Sequence, residues 1–140
     1  MNHAGARAAL NQYKQVSAHS MVEGASPHRL IQMLMDGALE KITLARSFMV
    51  ENKLGDKAHH ITWAISIVDG LRVSLDREKG GEIAQNLEDL YDYMVRRLVL
   101  ANAQNDPLIL DEVKDLLLQI KEAWDAIGPI ANQANGPDAA

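Results

Sequence analysis

Proline placement constrains this chain more than any other feature. There are four prolines, Pro27, Pro107, Pro129 and Pro137, and the long stretch between Pro27 and Pro107 has none. An interior proline removes a helical hydrogen bond and clashes with the preceding turn, so that stretch is free to run as long helices. Pro27 follows Ser26 and Pro107 follows Asp106. Each pair fits an N-cap residue with proline in the first helical turn, where the missing N–H costs nothing. Asn52 to Gly55 and Lys79 to Gly81 read as breaks, and Gly128-Pro129 stops the last pattern. The spacing predicts helices over 27–52, 56–78, 82–104 and 107–127, each roughly 30–40 Å long. Short connections make consecutive helices antiparallel neighbours, so the expected fold is all-α, an antiparallel up-down four-helix bundle.

Composition supports that reading. Apolar residues make up 47% of the 140 and aromatics only 4%, a balance short of strand formers and suited to helices. The length suits one domain. Its expected parts are residues 1–25 as a partly helical, displaceable N-terminal segment, 26–128 as the bundle, and 129–140 as a flexible tail. The N-terminal segment has a weaker helical signal, carried by Ala8, Ala9, Leu10, Tyr13 and Val16.

Each helix offers a core stripe at three- and four-residue steps. The first has Ile31, Leu34, Ala38, Ile42, Ala45 and Met49; the second Ile61, Ala64, Ile65, Val68, Leu71 and Leu75. The third has Ile83, Leu87, Leu90, Met94, Leu98 and Ala101; the fourth Val113, Leu116, Leu117, Ile120, Trp124 and Ile127. Truncating a central one, such as Leu90→Ala, is expected to cost roughly 2–5 kcal/mol.

Some apolar residues are surplus to those stripes. On the first helix Leu30, Met33, Gly37, Leu44 and Phe48 lie about 100–160° around from the core spine. On the second, Trp63, Ile67, Gly70 and Ser74 form a column largely opposite the core face. Gly37 and Gly70 sit mid-helix, where glycine costs about 1 kcal/mol relative to alanine, and each leaves a notch. Four readings of these strips are open: they pack under residues 1–25, they widen the core, they form a dimer seam, or they hold an amphipathic partner helix with anchors at i, i+3, i+4 and i+7.

Several function classes fall away. There is no cysteine, hence no disulfide framework, thiol nucleophile or thiolate metal site. No apolar run approaches the length of a membrane span, so no membrane insertion is expected. Fourteen basic against nineteen acidic residues leave a net charge of −5, which argues against nucleic acid as the main partner. His59 and His60 are adjacent on a helix and point about 100° apart, which suits no shared metal. Asp56-x-x-His59 is the nearest approach to a di-iron ligand pair, and it occurs once. A histidine phosphotransfer domain would use an exposed His60, but the following Ile61-Thr62-Trp63-Ala64 lacks the Lys-Gly step that such domains place after the histidine. Gly80-Gly81 has no surrounding phosphate-loop motif and reads as a helix boundary with positive φ. Tyr91 is expected to cap the core with its hydroxyl near water, and Tyr93, beside Arg96 and Arg97, to be exposed. No catalytic constellation emerges, and no enzyme or cofactor is expected.

One set of residues carries a family resemblance over about 10–127. It comprises Tyr13 with Val16-Ser17, Ser26-Pro27-His28-Arg29-Leu30-Ile31, Met33-Leu34 and Gly37-Ala38. A longer block follows: Gly81-Glu82-Ile83-Ala84, Asn86-Leu87, Leu90-Tyr91-Asp92-Tyr93-Met94, Arg96-Arg97-Leu98 and Ala101-Asn102, with Trp124 near the end. In order and spacing the chain resembles the bacterial flagellin export chaperones; Met35 stands where many of these carry an aromatic residue. The resemblance implies a cytosolic four-helix bundle that binds the C-terminal segment of flagellin, prevents premature polymerisation and delivers the subunit to the flagellar type III export apparatus. It implies no nucleotide or metal. It also implies an N-terminal segment around Tyr13 that lies on the bundle and moves when cargo binds. The expected contact residues are Leu30, Met33, Gly37, Leu44, Trp63 and Ile67, with Tyr13 and Val16 as a removable cover; Tyr91, Tyr93 and Met94 are carried over from the family motif. A generic helical adaptor or self-associating bundle, weakly dimeric without client, is the alternative class.

Overall fold

The computed structural model describes residues 26–128. They form four helices: α1 (Pro27–Val50), α2 (Leu54–Val73), α3 (Arg77–Gln104) and α4 (Pro107–Ala126). The expected caps are in place. Ser26 Oγ accepts from Arg29 N at 3.1 Å, and Asp106 Oδ1 accepts from Leu108 N at 2.9 Å, each followed by its proline. The chain reverses after α1 through Asn52 and after α3 through Asn105, both left-handed, with φ of 61° and 51°. Asparagine tolerates that region better than most side chains.

The second turn departs from the sequence reading. α2 stops at Val73 rather than near 78. Asp76 starts the next helix, its side chain accepting from Lys79 N at 3.0 Å. One helical turn follows, and a kink at Gly81 (φ 51°, ψ −125°) then sets the direction of the rest of α3. The expected break at Lys79 to Gly81 is therefore a kink inside α3, and the chain reversal lies earlier, at 74–76.

The helices pack in a ring, each against its sequence neighbours, with α4 closing on α1. Side-chain pairs fix the antiparallel sense. Arg46 near the end of α1 meets Asp111 near the start of α4, at 2.7 and 3.2 Å, while Gln32 meets Asp125 at the other end, at 2.6 Å. Lys57 at the start of α2 is buried, and its ammonium donates to the carbonyl of Asn102 and to Asn105 Oδ1, at 3.0 and 2.6 Å. It thereby serves the unpaired carbonyl end of α3, where a cation is also favoured by the helix dipole. Arg72 bridges Asp69 of α2 and Asp92 of α3.

Leu34, Ile42, Ile61, Val68, Leu71, Met94, Leu98, Leu110, Val113 and Leu117 fill the core. The expected stripe positions are buried or, like Leu90, packed half-buried against the core, except Ile83 and Ile127, which are exposed. The expected cost of Leu90→Ala falls accordingly, because part of its surface already meets solvent. Conversely, Met35, Ile67, Tyr91, Val95, Ile109 and Leu110 are buried without having been in any stripe. α2 accounts for one of these: it packs on both α1 and α3, and a helix with two partners buries more than one stripe.

Candidate functional site

At one end of the bundle the ring does not close over the core. The start of α1, the end of α2, the first turns of α3 and the last turns of α4 surround an open apolar cleft of about 760 Å³. Leu34, Met35, Leu71 and Tyr91 form its buried floor. Leu30 and Ile31 of α1, Leu75, Leu87 of α3, and Ile120 and Trp124 of α4 form half-buried walls. Ile83 and Ile127 stand on opposite lips, 72% and 44% exposed. The two helices carrying them are joined elsewhere: Tyr93 Oη and Arg97 Nε both donate to Glu112, each at 2.7 Å, near the start of α4. Nothing equivalent ties the start of α3 to the end of α4 among the hydrogen bonds and ion pairs described there. A cleft this size, largely apolar with few polar groups on its rim (Ser74, Asp76 and Lys79), is suited to bind apolar side chains rather than to do chemistry.

A second apolar surface lies toward the other end, on the α1–α2 seam. Trp63 is 45% exposed, with Lys41 Nζ 3.9 Å from its ring centroid, a cation–π contact. His59 packs edge-on against it and His60 lies tilted beside it, with centroids 5.8 and 6.3 Å away, and Phe48 is tilted against His60 at 5.0 Å. Leu44 is exposed beside this group. From Leu30 to Phe48 along α1 is roughly 27 Å, so the patch and the cleft are separate surfaces. His60 is half-buried, and its Nδ1 lies 2.8 Å from the carbonyl of Asp56. Among the described residues no cluster of side chains could hold a metal ion.

The expected contact residues divide between these surfaces and the core. Leu30 lines the cleft; Met33 and Gly37 are half-buried along α1 between cleft and patch; Leu44 and Trp63 belong to the patch. Ile67 and Gly70 are buried, so the column running from Trp63 to Ser74 is not one exposed strip. Met94 is fully buried. Tyr91 is buried rather than near water, and burial pushes its hydroxyl up to about 12. Tyr93 is half-buried, not free in solvent; its hydrogen bond to Glu112 raises the phenol and lowers the carboxyl relative to their ordinary values. Tyr13 and Val16 lie outside the described residues. The reading of separate stripes missed Ile83, Ile127 and Trp124 as cleft residues, since all three sit at core spacing on their own helices. Their place at the open end of the bundle, where Ile83 and Ile127 are exposed and Trp124 is half-buried, is what makes them cleft residues.

A family model described as flagellar protein FliS matches residues 9–131. The chain belongs to the FliS family. Relatives in the FliS family include a flagellar secretion chaperone, FliSB, of Pseudomonas aeruginosa, 51% identical over 119 residues, covering 85% of this chain and 94% of the relative. The flagellar secretion chaperone FliS of Salmonella typhimurium is 49% identical over 124 residues, covering 88% and 92%. That of Bacillus subtilis is 33% identical over 114 residues, covering 81% and 84%. The FliS family is one of chaperones, not enzymes. Among the described residues no helix is long and apolar enough to cross a membrane.

Proposed function

We propose that this chain is a cytoplasmic chaperone of flagellar secretion that binds the C-terminal segment of flagellin. Bound, it covers that segment's apolar face, prevents premature polymerisation and keeps the subunit competent for the export apparatus. The observation that carries this reading is the open apolar cleft, with isoleucines on both lips, in a member of a family whose named relatives are secretion chaperones. An amphipathic helix would seat apolar side chains in the cleft, and the half-buried Met33–Gly37 face of α1 gives it a path toward Trp63 and Leu44. The client orders on binding, at a cost of about 2–5 kcal/mol or more that extended apolar contact offsets. Pro27, near the start of the described residues, lines the cleft. Tyr13 and Val16 would then cover the cleft until a client displaces them.

Titration calorimetry with purified flagellin tests the reading. Full-length flagellin should bind 1:1 to a monomer, and flagellin lacking its C-terminal segment should not bind. Met33→Glu should weaken binding while the helical melting transition survives. Equal binding of truncated and full-length flagellin would remove the proposal, and a stable free dimer in sedimentation would favour self-association.

A further inference from the structure

The far end of α4 is attached differently from the rest of the bundle. Its buried residues, Ile109, Leu110, Val113 and Leu117, all lie before its last nine residues. Beyond them only Ile120 and Trp124 pack on the core, both partly buried. Trp124 is in the final turn, where helix carbonyls run out of intrahelical donors. His28 of α1 supplies a partner: its Nε2 lies 2.7 Å from the Trp124 carbonyl oxygen. In return the Trp124 indole N–H donates to the His28 carbonyl at 3.0 Å. The two rings stack at 4.7 Å with an interplanar angle of 11°. Gly128 packs so tightly on the His28 ring that a Cβ there would stand 2.8 Å from His28 Cε1. His28 is 3% exposed. Gln32–Asp125 and Lys121–Asp36 add polar contacts at the surface.

Both members of this pair line the cleft, and Ile127 on its lip immediately precedes Gly128. We propose that His28 and Trp124 form a latch on a movable wall. When it opens, the last two turns of α4 leave α1 as a unit and widen the cleft, while the core around Leu110 and Leu117 stays folded. The closed latch admits small apolar groups and the open one admits a bulky occupant, whether or not that occupant is flagellin.

The test uses the full chain with Trp63→Phe, which leaves Trp124 as the sole indole. In this parent, amides of 119–128 should exchange faster than those of 109–117. His28→Ala, which removes the ring, and Gly128→Ala, which keeps both rings but crowds them apart, should each speed exchange in 119–128 about tenfold further, as expected for one lost buried hydrogen bond. Exchange in 109–117 should not change. Trp124 emission should shift red, and anilinonaphthalene sulfonate, used as the apolar probe, should bind several-fold more. Uniform exchange along α4 in the parent overturns the proposal. So does any folded variant in which 119–128 is unaffected, in which 109–117 accelerates equally, or in which the freed end brings no gain in probe binding.

Discussion

Ile83 and Leu98 lie on the same helix at positions that the sequence pattern treats alike, and the structure separates them. Leu98 is fully buried, whereas Ile83 is 72% exposed on the lip of the cleft. Leu98→Ala leaves a cavity and should cost about 2.7–5 kcal/mol. Ile83→Ala removes a side chain that is mostly hydrated already. Full burial of such a side chain is worth about 1.5–3 kcal/mol, so the little it now buries puts the stability cost at about 0.4–0.8 kcal/mol. A client in the cleft would bury the remainder, about 1.1–2.2 kcal/mol, which corresponds to roughly a 6- to 40-fold loss of flagellin affinity in Ile83→Ala. Urea melts followed by helical circular dichroism give the first quantity and calorimetry with flagellin the second. An Ile83→Ala protein as unstable as Leu98→Ala would refute the exposed placement. One that keeps full affinity would refute the cleft as the client's seat.

Other outcomes follow from single residues. Tyr91 has its hydroxyl raised from 10.0 to about 12 by burial, so the folded state holds a proton that the unfolded state loses. The stabilisation is complete below pH 10 and is lost as pH rises through 12; stability should fall by about 2–3 kcal/mol over that window beyond the fall seen in Tyr91→Phe, measured by urea melts at stepped pH. Gly81 and Gly55 both have open space where a Cβ would go, but only Gly81 has positive φ, at 51°. Gly81→Ala should therefore cost about 1–3 kcal/mol through backbone strain, while Gly55→Ala, in the first turn of α2, should gain about 0.4–1 kcal/mol. Thermal melts of the two variants should move in opposite directions.

The helices and most of the core were legible because their signals are local. Ser26-Pro27 and Asp106-Pro107 announce two starts, and three- and four-residue spacing marks the faces. The α2–α3 turn was less legible because 74–76 contains neither glycine nor proline; the capping aspartate at Asp76 was its one signal. The cleft was legible only at Leu30 and Tyr91, which the sequence had offered as contact residues. Ile83, Ile127 and Trp124 have core spacing, and whether a helix face meets a partner depends on how neighbouring helices diverge, which no single helix encodes. Ile67 erred in the opposite direction, since α2 has two packing partners and buries a residue that one-stripe reasoning sends outside. The His28–Trp124 pair, separated by nearly the whole bundle in sequence, has no local trace.

The ring order of the helices has a consequence for how the protein assembles. Three of its four seams join consecutive helices across short turns, so closing them costs little chain entropy. The α1–α4 seam alone must bring together the two ends of the bundle, and contacts of such long sequence separation form late. Folding should therefore progress from hairpin to hairpin and finish with α4 docking on α1. In reverse, the least costly partial opening begins at that same seam. The chaperone would gain access to its apolar interior along the route by which it last closed, without passing through an unfolded chain.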